Sequence, residues 1–394
     1  MNKKILIVTP RSPFEGRGAD EQDRLAGIMW FVENGYEVRV ITKTLDNDVP
    51  HLDKAANELS IKIFGISYKF RGKTDFLKRL FNPNFWDGAA YEYFDREIQE
   101  KLFEQVESFR PELVWFDYTY LWPLYEIPKS KGIPIITRSI NFEPEHFLDE
   151  DGRMPWNYLR AIPKYISELK SLRGSDFFFA ITPKEERIYK KMARTPVYTL
   201  PLRALPKIVG KQKDLKGDKY FHIGFMASNY NVRHNLEALL FLTKDIFPLL
   251  SQEIRSNLRI HVTGNKLPEK VREELPEGVI YEGFVPSPSD FWLSVDIAVV
   301  PSVFGAGMQQ KIFEPLTLGV PTITSRRGLA GYPFECGKSV LCADTNEEFA
   351  AAIVKLIEDQ NFRGRLGEDA RRVSESIFNK EALDAIIKMS TKIL

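Results

Sequence analysis

The chain has 394 residues, which points to two domains at roughly 100–200 residues each. Hydrophobic residues make up 43%, enough for substantial cores, and 55 Lys plus Arg against 54 Asp plus Glu give no bulk attraction to nucleic acid or to an anionic membrane. The two cysteines, Cys336 and Cys342, exclude a disulfide scaffold, suit a reduced compartment and lack the spacing of a metal site.

The first apolar run, Ile5 to Thr9, is β-branched and nearly continuous, as expected of a parallel strand buried on both faces. It breaks at Pro10-Arg11, too soon for a signal peptide, and no later stretch approaches the ~20 apolar residues of a membrane span. The expected location is cytoplasmic. A loop from Arg11 to Asp20 follows, then a helical pattern through Leu25, Ile28, Met29, Phe31 and Val32 that stops at Asn34-Gly35. Glu37–Thr42 is the next strand, completing a βαβ unit. Further strands are expected at Ile61–Ile66, Leu113–Phe116, Ile133–Thr137 and Phe177–Ile181. The stretch from Pro196 to Asp218 is rich in Pro, Lys and Gly and aperiodic, and reads as a linker. The alternation then restarts. Strands are expected at Tyr220–Phe225, Leu258–Thr263, Val279–Gly283, Ile297–Val300 and Pro321–Thr324. Helices are expected at Asn235–Leu250, Pro288–Leu293, Gln309–Leu318, Glu347–Asp359 and Phe362–Ser374. The fold class is therefore α/β, with two Rossmann-like domains. The boundaries drawn are 1–200 for an acceptor domain, 201–217 for the linker, 218–376 for a donor domain, and 377–394 for a terminal helix that packs back on the first domain.

The stretch from Asp296 to Ser325 is the most informative. A buried strand runs into Gly305-Ala306-Gly307, and a helix begins near Met308 carrying Lys311 and Glu314. Glycines after a strand let backbone approach a ligand. The following helix start offers N–H groups and a positive dipole end to phosphate. Lys311 in the first turn adds charge for a diphosphate. Glu314, three residues on, shares its face and is suited to accept hydrogen bonds from vicinal ribose hydroxyls.

These blocks resemble retaining glycosyltransferases of the family 4 type, which have the GT-B fold. The resemblance runs through Phe225-Met226-Ala227-Ser228, His234-Asn235-Leu236-Glu237-Ala238, Val262-Thr263-Gly264-Asn265 and Tyr281-Glu282-Gly283-Phe284-Val285. It continues through the Gly-Ala-Gly…Lys-x-x-Glu block to Asn361–Arg371. It implies two domains facing each other across a cleft, with Glu314 on the donor ribose and Lys311 on the diphosphate. Gly264 and Ser228 would lie near the donor as well. Such enzymes often carry a second glutamate seven residues before this one, where the present chain has Gly307.

Other candidates come from the first half. Gly16 and Gly18 flank Arg17 where the family has a glycine-rich loop beside the donor, and Arg11 adds charge there. Asn141, Glu143 and His146 follow the strand Ile133–Thr137, where polar loops are well placed for chemistry, and Asp117 ends the strand Leu113–Phe116. These four are the catalytic candidates. Asp46-Asn47-Asp48 formally fits a metal–nucleotide motif but reads as an ordinary turn, so no metal or other cofactor is expected. The segment 68–86 interleaves basic and aromatic residues, a pattern of peripheral membrane contact as well as of a packed helix.

The function expected is transfer of a sugar from a nucleoside-diphosphate sugar to a hydroxyl acceptor, glycan or lipid-linked, without a metal. Surface-polysaccharide or glycoconjugate synthesis is what the resemblance implies. An epimerase or phosphorylase on the same fold, or a non-catalytic nucleotide-sugar-binding subunit, stays open at this point.

Overall fold

The structure, a computed structural model, describes residues 3–14, 19–45, 49–68, 82, 85–205, 219–302, 309–329 and 331–393. The chain divides into two compact units, Met1–Ala204 with Asp384–Leu394, and Leu205–Leu383.

The first unit holds a seven-stranded sheet: β1 (Lys4–Thr9), β2 (Glu37–Thr44), β3 (Lys62–Ser67), β4 (Leu113–Phe116), β5 (Ile135–Arg138), β6 (Phe177–Ala180) and β7 (Val197–Thr199). The order is β3-β2-β1-β4-β5-β6-β7 and every pairing is parallel. Helices return the chain between parallel strands, so both sheet faces are covered and the strands read as unbroken apolar runs. Phe177, Phe178 and Phe179 are fully buried, each contributing about 2 kcal/mol in transfer from water. The helix Ala19–Glu33 ends at Gly35, whose φ of +79° suits a left-handed cap.

The second unit repeats the plan with six strands: β8 (Phe221–Asn229), β9 (Leu258–Asn265), β10 (Val279–Gly283), β11 (Ile297–Val300), β12 (Thr322–Thr324) and β13 (Leu341–Cys342). Their order, β10-β9-β8-β11-β12-β13, is again parallel throughout. Each sheet reverses its winding once, at β1/β4 in the first unit and at β8/β11 in the second. Ligands of open α/β sheets bind beyond the carboxyl ends of strands at such switch points.

Several expectations need correcting. The start of the supposed linker is strand β7, and Leu200, Leu202, Arg203, Ala204 and Leu205 beyond it are buried; residues 206–218 lie outside the described ones. The expected helix Asn235–Leu250 is α-helical only over Arg233–Leu240, then widens into a π turn over Phe241–Ile246 and tightens into a 3₁₀ turn over Phe247–Leu249. Pro248 has no N–H to continue the regular ladder. The two cysteines are joined in a disulfide, with Cα atoms 5.4 Å apart. The turn at Gly337 folds the chain back so that Cys336 pairs with Val340, bringing the thiols together. The closing helix Lys380–Ile393 enters the first unit from Asp384 onward, and Trp30 Nε1 donates to Asp384 Oδ1 at 2.5 Å.

Candidate functional site

The second unit's switch point is built by the segments that follow β8 and β11. After β8, Asn235 sits in the first turn of the helix Arg233–Leu240, its Nδ2 donating to the Asn229 carbonyl at 2.9 Å. After β11, the helix Gln310–Thr317 begins with Lys311 in its first turn. Lys311 Nζ donates to Asn235 Oδ1 at 3.3 Å, so the two turns meet across the switch point. Burial drives the Lys311 pKa down to about 8, because a half-buried ammonium loses hydration that one amide oxygen does not replace.

Glu314 lies one turn on and is buried. Burial, and then the nearby Glu314 charge, push the Tyr332 hydroxyl well above its usual range, so Tyr332 stays a neutral donor, to the Gln309 carbonyl at 3.0 Å. The N-cap Gln309 makes no side-chain cap hydrogen bond; its Nε2 donates instead to Ser302 Oγ at 2.8 Å. Ser325 fixes the same strand end, its Oγ donating to the Ser302 carbonyl at 2.8 Å and accepting from the Ser302 N–H at 3.0 Å. The helix start is thereby tied to β11 and β12 by side chains rather than capped by them.

Gly264 closes β9 beside this site. Its φ is +134°, and a Cβ there would lie 2.7 Å from the Ala227 carbonyl oxygen. Tyr230 OH donates to the Thr263 carbonyl at 2.8 Å and Tyr281 OH to the Gly264 carbonyl at 2.6 Å, locking the ends of β8, β9 and β10 together. Ser228 is exposed near the end of β8. Gly305, Gly307 and Met308, and in the first unit Gly16 and Gly18, lie outside the described residues. So do Asp46-Asn47-Asp48 and most of the basic–aromatic segment 68–86.

In the first unit, Asp117 follows β4 at the switch point. Arg203 Nη2 donates to both Asp117 oxygens, at 2.9 and 3.0 Å, and Trp115 Nε1 donates to one at 3.1 Å. The same guanidinium reaches Asp23 Oδ2 at 2.9 Å, where Arg138 Nη1 also lies, at 2.7 Å. All four charged groups are buried. Asp117 thus belongs to a neutral ionic quartet, and both of its carboxylate oxygens accept hydrogen bonds within it. Nothing in the spacing of Arg203, in an aperiodic stretch, signals this.

Glu143 begins the helix Glu143–Asp151 and is also buried, accepting from Tyr118 OH at 2.7 Å and Tyr120 OH at 2.9 Å. Beneath it, Glu168 accepts from Thr119 and Tyr189, and burial plus the Glu143 charge hold it protonated well above the usual carboxylate range. Tyr189 in turn shares a hydrogen bond with Ser139 Oγ at 2.9 Å. Glu185, pushed up to about 7 by burial, accepts from the Phe142 N–H at 2.9 Å. Buried groups therefore hold the loop from Ser139 to Phe142 from below. Asn141 and His146 are half-buried on it and on the helix after it. Among the described residues, no group of three His, Cys, Asp or Glu side chains is placed to hold a metal ion, and no helix is long and apolar enough to cross a membrane.

Residues 221–359 match the family model described as Glycosyl transferases group 1, and this stretch contains Asn235, Gly264, Lys311 and Glu314. No curated protein matches the chain. Among solved structures, the chain is similar to HepE of Anabaena in complex with UDP and glucose, with TM-score 0.68, 13% identity and 100% of each chain covered. It is similar to the sucrose-phosphate synthase of Thermosynechococcus elongatus, with TM-score 0.70 and 13% identity over 99% of this chain and 98% of that one. It is also similar to a glycosyltransferase of Rickettsia africae, with TM-score 0.64 and 13% identity over 100% of this chain and 97% of that one. Likeness at this identity establishes the fold: the chain has the two parallel-sheet α/β units of GT-B glycosyltransferases, and its second unit carries the match to the Glycosyl transferases group 1 model.

Proposed function

We propose that the protein transfers a sugar from a nucleoside-diphosphate sugar to a hydroxyl acceptor, with the donor held by the second unit. The observation that carries this reading is the Lys311–Asn235 hydrogen bond across the β8/β11 switch point, with Glu314 one turn further along the same helix. A cation in the first turn and a helix start without a side-chain cap are features that favour an anion such as a diphosphate. The family match over residues 221–359, and UDP in the solved HepE complexes, support a nucleotide-linked donor.

When the glycosidic bond breaks, negative charge grows on the leaving diphosphate. Lys311 and the first-turn amides are positioned before the reaction to stabilise it, the kind of preorganisation that lowers the barrier most. Charge neutralisation then needs no added cofactor, and Glu314 holds the ribose through its hydroxyls. Asn141 and His146, beyond β5, are assigned to the acceptor and sugar. Retention of configuration, and a place in surface-polysaccharide or glycoconjugate synthesis with a glycan or lipid-linked acceptor, follow from the family resemblance and belong to this proposal.

A thermal-shift screen over UDP-, GDP-, ADP- and dTDP-sugars tests it, since a ligand of the folded state raises the melting temperature. Release of the nucleoside diphosphate is then measured with the sugar that binds. Glu314→Gln is expected to cut donor affinity and turnover at least about tenfold, the loss of one charge-assisted hydrogen bond. Unchanged kinetics in this variant would remove the carboxylate from the site.

A further inference from the structure

The helix Pro155–Gly174 packs inward through Asn157, Ala161, Ser167 and Glu168. Trp122 Nε1 donates to Ser167 Oγ and Thr119 Oγ1 to Glu168, fixing that face against the turn Thr119–Leu124. The opposite face is different. Trp156, Tyr158, Leu159, Ile162 and Tyr165 are all exposed, as is Met154 just before the helix; Leu159 is 69% and Trp156 57% accessible. At helical periodicity these positions form one arc of roughly 180° opposite the buried residues. Single apolar side chains in water need no explanation, but six on one short segment mark an interaction surface.

Its chemistry indicates what covers it. Trp and Tyr among aliphatic residues is the composition that settles at the headgroup level of a bilayer. The helix carries four cations: Arg160 is exposed beside Leu159, Lys170 and Arg173 continue along the apolar face, and Lys164, on the inward side, pairs with Asp87 at 3.8 Å; the exposed acid Asp151 lies just before the helix. The helix has one acid, Glu168, which is buried and bonded to Thr119 and Tyr189. The helix therefore shows solvent an apolar aromatic face bordered by Arg160, Lys170 and Arg173, complementary to anionic lipid headgroups.

We infer that the first unit docks on anionic membranes through the outer face of the helix Pro155–Gly174. This is a different element from the basic–aromatic segment singled out in the sequence, and it does not depend on the sugar-transfer reading.

Sedimentation of the full chain with vesicles tests this, using phosphatidylcholine mixed with phosphatidylglycerol against phosphatidylcholine alone. The native protein is expected to sediment with the mixed vesicles, to be weakened by salt, and to leave the neutral ones largely unbound. The triple variant Trp156→Gln, Leu159→Gln, Ile162→Gln is expected to lose at least about tenfold in partitioning. Phe103→Gln, an exposed aromatic on the helix Arg96–Phe109 of the same unit, is expected to bind as the native protein does. Melting temperatures of both variants report that they fold. A triple variant that sediments normally, or a native chain that binds no vesicle, overturns the inference. Light scattering supplies the rival outcome: a dimer that the triple variant dissolves, without vesicle binding, assigns this face to a second copy of the chain instead.

Discussion

Replacing Lys311 by Met is expected to move stability and ligand affinity in opposite directions. The ammonium is half-buried, one amide oxygen accepts from it at 3.3 Å, and burial lowers its pKa to about 8. The folded state therefore disfavours the charge that the unfolded chain keeps up to the ordinary lysine value of 10.5. Below pH 8 both states are protonated and the full penalty applies. Between pH 8 and 10.5 the unfolded chain binds more protons, so native stability rises with pH across that window. Met fills the space without the charge, so the variant should melt above the native protein at pH 7, and the gap should shrink as pH climbs past 8. Affinity should move the other way. A charge-assisted hydrogen bond to phosphate is worth about 1.5–3 kcal/mol, or roughly ten- to a hundredfold in Kd. Native donor affinity should itself weaken above pH 8 as Lys311 loses its proton. Differential scanning fluorimetry from pH 6 to 10, with calorimetric titration of the donor found by the nucleotide-sugar screen, measures both. A variant that melts lower at pH 7 and binds donor normally would refute the reasoning, because the cation would then be structural. Sites that bind charge commonly carry this cost in the empty state.

Three further outcomes follow from the described geometry. Arg203→Met leaves Asp23 and Asp117 buried beside Arg138 alone, and should cost about 3–5 kcal/mol in urea unfolding, partly restored by adding Asp117→Asn; burial opposes it, but Arg138 and Arg203 hold the Asp23 carboxyl below its ordinary value of 3.8, so this contribution is present above that pH and lost as pH falls through the lowered folded value. Gly264→Ala puts a Cβ 2.7 Å from the Ala227 carbonyl at a φ of +134°, and should cost about 1–3 kcal/mol with loss of donor binding, read by the same unfolding and titration assays. Glu185 ionises near 7 in the folded chain against an ordinary 4.5 in the unfolded one, so native stability should fall as pH rises from 4.5 to 7; Glu185→Gln, which keeps an acceptor for the Phe142 N–H, should flatten that slope in a pH series of melting curves.

Much of the fold was legible because parallel strands buried on both faces must be apolar throughout. The strands Leu113–Phe116, Val279–Gly283 and Ile297–Val300 have the bounds read from sequence. The short strands β7 and β13 were not legible, since three and two residues carry no periodicity. The break in the helix after Leu240 was missed because its apolar pattern continues while its backbone does not.

For the site, the sequence by itself determined chemistry of local origin: a strand, a turn and a helix whose first turn carries a cation and whose second carries a carboxylate. Residues three apart on a helix share a face whatever the rest of the chain does. Only the tertiary structure decided which distant groups complete that chemistry and which candidates are already engaged. Asn235 reaches Lys311 because β8 and β11 lie side by side, an adjacency set by sheet order rather than spacing. Asp117 and Glu143 look like free carboxylates in one dimension, yet both are buried and held by hydrogen-bond donors. The exposure of Trp156, Leu159 and Ile162 was equally hidden, because an apolar helical stripe reads the same whether a core or nothing in the chain covers it.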